Sequence, residues 1–438
     1  MSDTHAQTVA FVRDTMLPET APPVAERGVV KWMRENLFSS WLNAILTILA
    51  LYVIYLVLAA ILPWMLNGIW QADSLSQCRE IRDANLGEGH EAACFAVITE
   101  RWNQLLFGFY PSHLYWRPIL ALVLFGVAIV PVLFASVPRK MLWVTAIAPF
   151  AMFYLLWGGS IWGPVSVLLG FVIAGAAIQF LPSVVGTLTA TLAAIILPIL
   201  YWLFLAGPVA GALHAVLPIG LQFVESSDFG GFMLSFIIGM AGIILSLPLG
   251  ILLALGRQSD LFLINKVSVA FIEIIRGVPL IVWLFTAQLI LGYFLPPGTN
   301  FDLLLRVIIM VTLFSSAYIA EVVRGGLAAL PKGQYEAADA MGLDYWKSMR
   351  LIILPQALKI SIPGIVNTFI GLFKDTTLVV FIGLLDPIGL SNSIRATTDW
   401  NGIYWELFLF IGVLFFICCY SMSRYSQFLE RKLQRENR

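Results

Sequence analysis

Three pairs of charged residues interrupt segments that are otherwise apolar: Glu273 with Arg276, Glu321 with Arg324, and Lys374 with Asp375. An ionisable side chain inside a membrane span costs about 2.5–3.5 kcal/mol on insertion scales unless it is paired or wetted. The first two pairs are spaced three residues apart, which puts both members on one helical face. Both lie within about two turns of one membrane boundary. Cross-pairing between their helices would close one end of a pathway; purely structural ion pairing would place the same residues there. Lys374 and Asp375 lie ~13 residues into their segment, about 20 Å deep at 1.5 Å per residue and past the midplane. With Thr376 and Thr377 they either line a wet cavity that meets the charged ends of a zwitterion, or neutralise each other against another subunit.

A second constellation is polar. Glu336-Ala337-Ala338, Gly342 and Ile352-Ile353-Leu354-Pro355 punctuate a loop between hydrophobic segments. Gln334 to Met341 is rich in helix formers, and Ala337, Ala338 and Ala340 keep that helix thin enough for another protein to approach its backbone. Gly342 ends it, as a glycine just past a helix commonly does. Asp344 is a good N-cap for a second helical run through Tyr345, Trp346, Met349, Ile352 and Ile353. The pattern predicts a helix–turn–helix on the membrane surface, with its small-residue face and Glu336 outward. An ordinary interfacial connection between spans is the other reading.

Other chemistry is absent. The four histidines (His5, His90, His113, His214) are scattered outside the spans, so no metal or acid–base cluster is in view. The four cysteines lack zinc-ligand spacing. Cys418 and Cys419 sit in an apolar run as packing residues, whereas Cys78 and Cys94 share one polar loop and either bridge, in an oxidising compartment, or stay as two thiols. No Gly-Lys-Ser/Thr occurs, so the chain has no phosphate-cradling loop and any ATP hydrolysis belongs to a partner. Net charge is zero, which gives no reason to expect nucleic acid.

The elements that must position these residues are membrane spans. The chain is 59% hydrophobic and 12% charged, with a mean hydropathy of +0.87; soluble domains carry about a quarter charged residues. Ten segments have the ~20 residues a helix needs to cross the hydrocarbon core: 42–63, 118–137, 141–157, 161–181, 186–206, 230–255, 267–292, 303–324, 361–385 and 402–423. With the N-terminus cytoplasmic, 18 basic residues fall on the cytoplasmic side and 5 on the other, as the positive-inside rule requires. Both termini, and the loop at 331–360, are then cytoplasmic. The polar N-terminus does not read as a signal peptide; 24–38 reads as an amphipathic surface helix or a plain linker. The chain divides into a tail (1–40), an N-terminal extension of five spans with an outside loop at 66–117 (41–225), a five-helix unit (226–425) and a basic tail (426–438). The outside loop reads as two short helices around a Gly-rich turn. Pro248-Leu249-Gly250, Gly277-Val278-Pro279 and Pro363-Gly364 are expected to break their helices, at hinges, along a path or at close packing contacts.

The spacing Glu-Ala-Ala, three residues, Gly, nine residues, Ile-x-Leu-Pro resembles the EAA loop of ABC-importer permease subunits. "SLPLGILLALGR" (246–257), "FIEIIRGVPLIV" (271–282), the stretch 315–343 and "IPGIVNTFIGLFKDTTLV" (362–379) are similar to the polar amino-acid branch of that family. The N-terminal extension resembles the longer permease subunit of general L-amino-acid or glutamate/glutamine/aspartate/asparagine importers. The resemblance implies an all-α polytopic protein of about ten transmembrane helices, with a C-terminal five-helix type I core. It implies a transport subunit of the bacterial inner membrane rather than an enzyme, with no cofactor of its own. Glu336, Ala337, Ala338, Gly342, Ile352, Leu354 and Pro355 would couple to a separate ATPase that holds ATP and Mg. Glu273, Arg276, Glu321, Arg324, Lys374, Asp375 and Thr376 would belong to the path or gate. A homologous permease subunit, giving a heterodimer, and a periplasmic amino-acid-binding protein complete the expected assembly. An ion-gradient-driven secondary transporter is the alternative; such proteins show broken helices in both halves, whereas here only one half carries the motif.

Overall fold

The computed structural model describes residues 28–134, 136–290 and 302–436. It is built almost wholly from helices. Among the described residues nine are long and apolar enough to cross a membrane: Trp41–Leu66, Ser112–Leu133, Arg139–Trp157, Trp162–Phe180, Thr189–Val216, Gly231–Arg257, Leu303–Ala328, Tyr345–Ile382 and Trp405–Leu433. A tenth is formed by Phe262–Gly277 and Leu280–Leu289, bent by 102°. That bend falls at Gly277-Val278-Pro279, where the missing proline N–H and the preceding-residue restriction stop the first helix. The other two expected breaks do not occur. Pro248 and Pro363 lie inside continuous helices, because a proline removes one backbone donor and flanking helices tolerate that loss.

Two compact units are distinguished. In the first (residues up to 69, with 82–93), helix α1 (Gly28–Asn36) exposes Val29, Val30, Trp32 and Met33 and carries a Lys31–Glu35 pair of i,i+4 spacing. Residues 24–27 of the expected surface helix lie outside the described residues. Helix α2 (Trp41–Leu66) starts at Ser40, whose hydroxyl accepts from the Asn43 N–H, and buries no residue, as expected of a lipid-facing span. Backbone bonds from Ile69 to Ala93 and from Ala93 to Trp64 close this unit.

The second unit (70–81 with 94–438) holds everything else. Helix α3 (Leu75–Leu86) begins in this unit and runs into residues 82–93 of the first, where the expected Gly-rich turn lies, and helix α4 (Ala96–Phe107) follows. Helices α5 (Trp116–Leu133), α6 (Leu142–Trp157), α7 (Trp162–Phe180), α8 (Pro182–Val185), α9 (Thr187–Leu200) and α10 (Ala206–Val216) follow, the last two joined by a π-helical turn over Tyr201–Leu205. Next come α11 (Gly231–Arg257), α12 (Phe262–Gly277), α13 (Leu280–Phe285) and α14 (Leu303–Ala328). After them come α15 (Lys332–Ala340), α16 (Tyr345–Ser348), α17 (Leu354–Asp375), α18 (Pro387–Arg395) and α19 (Trp405–Glu436).

The α11–α14 pair is the spine, and small residues make it possible. Gly242, Ser246 and Gly250 recur every four residues along α11 and are buried, the pattern that lets membrane helices approach closely. A Cβ on Gly250 would lie 2.6 Å from the Ile319 Cβ of α14. At the first end of α11, α4 packs alongside α18 and α19. The sequence division at 225 therefore cuts across packing: α4, drawn from the loop of the extension, covers the start of the five-helix unit. Cys78 and Cys94 are bonded there, with their Cα atoms 5.9 Å apart. The Cys94 N–H donates to Glu406 at the head of α19, and the Leu75 N–H donates to the Asp399 carbonyl.

Arg117 resolves a puzzle of charge. Its side chain is fully buried rather than looped out. Its guanidinium donates to the Leu155 and Gln222 carbonyls, while the Tyr110 hydroxyl takes the Leu156 carbonyl and the Val224 N–H the Trp157 carbonyl. These are the last carbonyls of α6, which lack intrahelical partners, and a cation suits a helix C-terminus. Arg117 thus pins the extension to the residues leading into α11.

Candidate functional site: a surface element and an arginine–glutamate hub

The polar loop forms the expected helix–turn–helix. Helix α15 ends in a Schellman motif: the Gly342 N–H donates to the Asp339 carbonyl at 2.9 Å and the Leu343 N–H to the Ala338 carbonyl at 3.2 Å. Gly342 holds φ +69°, a conformation that costs other L-residues about 1–2 kcal/mol. A Cβ there would meet nothing. The glycine is needed for its backbone conformation and not for want of space. Asp344 caps α16 by accepting from the Lys347 N–H at 2.9 Å. That N–H and the Lys347 ammonium hold its carboxyl below the ordinary range.

The outward face differs from the expected one. Glu336, Ala337 and Ala340 are exposed, but Ala338 is fully buried inside this chain. The exposed surface is more apolar than the alanines suggested: Met341, Tyr345, Trp346 and Leu351 are 64%, 48%, 68% and 64% accessible. Pro355 is exposed, while Ile352 and Leu354 are half-buried against the inner cluster. That cluster joins Ala254 and Leu255 of α11, Ile272 of α12, Ile319, Val323 and Leu327 of α14 and Met349 and Ile353 of the loop. The Tyr335 hydroxyl donates to the Leu327 carbonyl, and Gln356 of α17 donates to Gln334. A π-helical turn over Met349–Ile353 carries the chain into α17. The element is therefore held to α14 and α17, and a force on it reaches both.

Directly above lies the charge cluster. Glu321 on α14 gathers three arginines: Arg257 at 2.7 Å, Arg324 at 3.1 Å and Arg276 at 3.7 Å. Arg257 also reaches Glu273 at 2.9 Å. Neither one-helix pair behaves alone: Glu273 pairs with Arg257 rather than Arg276, while Arg324 keeps its partner three residues back. Arg276 is the loosest member, lying 5.4 Å over the Tyr318 ring with a buried Nε that has no partner among the described residues. Three helices (α11, α12, α14) are tied by one carboxylate. Arg257 lies just outside the expected span 230–255; the sequence signal for its role is its place at the close of a helix whose small residues pack on α14.

Lys374 and Asp375 sit where α17 gives way to a 3₁₀ stretch, Thr376–Ile382. Lys374 is exposed and Asp375 half-buried. They form no ion pair within 4.0 Å. Thr376 is buried, with its hydroxyl donating to the Phe373 carbonyl at 2.7 Å.

Known proteins place this arrangement. Residues 246–435 match the family model described as the binding-protein-dependent transport system inner membrane component. The chain is 55% identical, over the full length of both, to the glutamate/glutamine/aspartate/asparagine transport system permease protein BztC of Rhodobacter capsulatus. It is 39% identical, over 95% of each chain, to the inner membrane amino-acid ABC transporter permease protein YhdY of Escherichia coli K12. The probable glutamine ABC transporter permease protein GlnP of Bacillus subtilis is 31% identical over 46% of this chain and 90% of its own length. A crystal structure of an amino acid ABC transporter with histidines overlays on 45% of this chain and 90% of its own, with 30% identity and a TM-score of 0.41. The chain belongs to the inner-membrane permease family of binding-protein-dependent ABC transporters. It is the permease subunit of an ATP-driven amino-acid importer that works with an ATPase and a substrate-binding protein, and not a gradient-driven carrier or an enzyme.

Proposed function

We propose that residues 332–355 are the coupling element through which ATP and Mg held on the partner ATPase drive this chain. The observation that carries the proposal is an exposed platform of Met341, Tyr345, Trp346 and Leu351 beside Glu336, backed by contacts to α14 and α17. Large apolar side chains beside water mark an interaction site, and the inner contacts give a push somewhere to go. The Glu321 hub then acts as the gate: moving α14 against α11 and α12 breaks ion pairs that hold three helices together.

The platform end is cytoplasmic on this reading, with both termini on the same side. Two features support it: the excess of basic residues, and a disulfide at the opposite end of α11, where an oxidising compartment would maintain it. The chain pairs with a homologous permease in a heterodimer, and the extension, 41–225, is an added module on the five-helix unit. Its substrates are glutamate, glutamine, aspartate and asparagine, a class supported by the printed name of the R. capsulatus relative.

The test is uptake of labelled L-glutamate and L-glutamine into proteoliposomes that hold the whole complex, with ion gradients collapsed. Uptake is expected only with ATP on the platform side and binding protein on the other. Uptake that ignores ATP would refute the coupling role.

A further inference from the structure

One face of α17 stays open to the surroundings although the helix spans the membrane. Ala357, Ser361, Ile365, Leu372 and Phe373 turn inward. Asn367 and Lys374 are exposed on the other side. They are seven residues apart, so they lie within about 20° of one another and about 10 Å apart along the axis. Gly371 lies between them on that face, and a Cβ placed on it would meet nothing within 4 Å. The stripe is thus an amide, a gap and a cation.

Lipid is a poor neighbour for this stripe. A lysine inside a membrane span costs about 2.5–3.5 kcal/mol unless wetted or paired, and Lys374, within the candidate span Tyr345–Ile382, has no ion-pair partner within 4.0 Å among the described residues. A small ligand in the gap would find a positive charge at one end and an amide, both donor and acceptor, at the other.

Resting on the importer reading above, we infer that Asn367, Gly371 and Lys374 form a substrate-contact notch in the translocation path. Lys374 takes the α-carboxylate of the amino acid, and Asn367 takes its side-chain carboxylate or amide. Of the residues the sequence offers for the path or gate, the notch takes Lys374 and adds Asn367 and Gly371.

The notch is tested with Gly371→Cys in the full complex, in a background where Cys418 and Cys419 are alanine. A water-soluble, membrane-impermeant methanethiosulfonate reagent is expected to label position 371, and millimolar L-glutamate to slow labelling. Lys374→Gln is expected to lower ATP-driven L-glutamate uptake at least about tenfold, the factor for one lost charge-assisted contact. Lys374→Arg is expected to keep most of it, and Gly371→Leu to block it while the complex stays assembled on size exclusion. Three results would each overturn the notch: no labelling at 371, full-rate uptake by Lys374→Gln, or dissociation of the complex on Lys374→Gln, which would make the stripe a subunit contact. If wild-type uptake ignores ATP, the importer reading fails instead, and labelling with glutamate protection still judges the notch.

Discussion

Removing one carboxylate should separate a gate from a decoration. Glu321 is 17% exposed in its side chain and is bonded by Arg257, Arg324 and Arg276, whereas Glu273 is 56% exposed and bonded by Arg257 alone. Exposed ion pairs contribute about 0.2–1 kcal/mol each. The burial of Glu321 puts its pairs at the upper end, so the three together give about 3 kcal/mol, and the single pair of Glu273 about 0.5 kcal/mol. If these pairs exist in the closed state only, Glu321→Gln raises the open-to-closed ratio about a hundredfold and Glu273→Gln about twofold, at tenfold per 1.4 kcal/mol. The assay is ATP hydrolysis by the reconstituted complex without binding protein, together with leak of preloaded glutamate. Glu321→Gln is expected to raise both strongly while Glu273→Gln stays near wild type. Equal effects from the two variants, or none from either in folded complexes, would refute the gate.

Three further perturbations follow from the geometry. Gly342→Ala must hold φ +69° at a cost of about 1–2 kcal/mol; transport should fall without loss of insertion, and Gly333→Ala, which meets no atom and has no positive φ, should be neutral. Burial raises the Asp386 carboxyl from 3.8 to about 6, against the pull of the Gly389 and Ile388 N–H groups. The folded protein therefore keeps a proton that the unfolded chain has released. Its stability is full below pH 4 and declines by about 3 kcal/mol as pH rises through 6. Asp386→Asn keeps an acceptor for the Gly389 N–H and should flatten that decline in thermal unfolding at pH 5 and pH 8. Cys78→Ser should lower stability by about 3 kcal/mol, the chain-entropy figure for a loop of this length, read as a drop in melting temperature that reductant reproduces in the wild type.

Much of the fold was legible because bilayer thickness fixes span length. Among the described residues nine of the ten segments coincide with helical runs long and apolar enough to cross a membrane, and the turn at Gly342 and the cap at Asp344 follow from residue preference alone. What was not legible came from packing between distant segments. Ala338 looks outward by composition but is buried, because α15 is seated on α14 and α17. Arg257 reads as a loop charge until α11 is laid against α14, and Arg117 as a surface charge until the end of α6 reaches it. Prolines 248 and 363 read as breaks, yet neighbouring helices hold those segments straight. The exposed stripe on α17 was half seen: Lys374 stands out by charge, while Asn367 and Gly371 acquire meaning only from the face they share.

The central claim is that residues 332–355 are seated on the ATPase. A photo-activated cross-linking residue at Trp346 in the full complex tests it directly, with Trp405, 75% exposed at the other end of the bundle, as control. The account predicts an ATPase adduct from position 346 and none from 405. Adducts from 346 to lipid alone, with the ATPase present and the complex active, would contradict it.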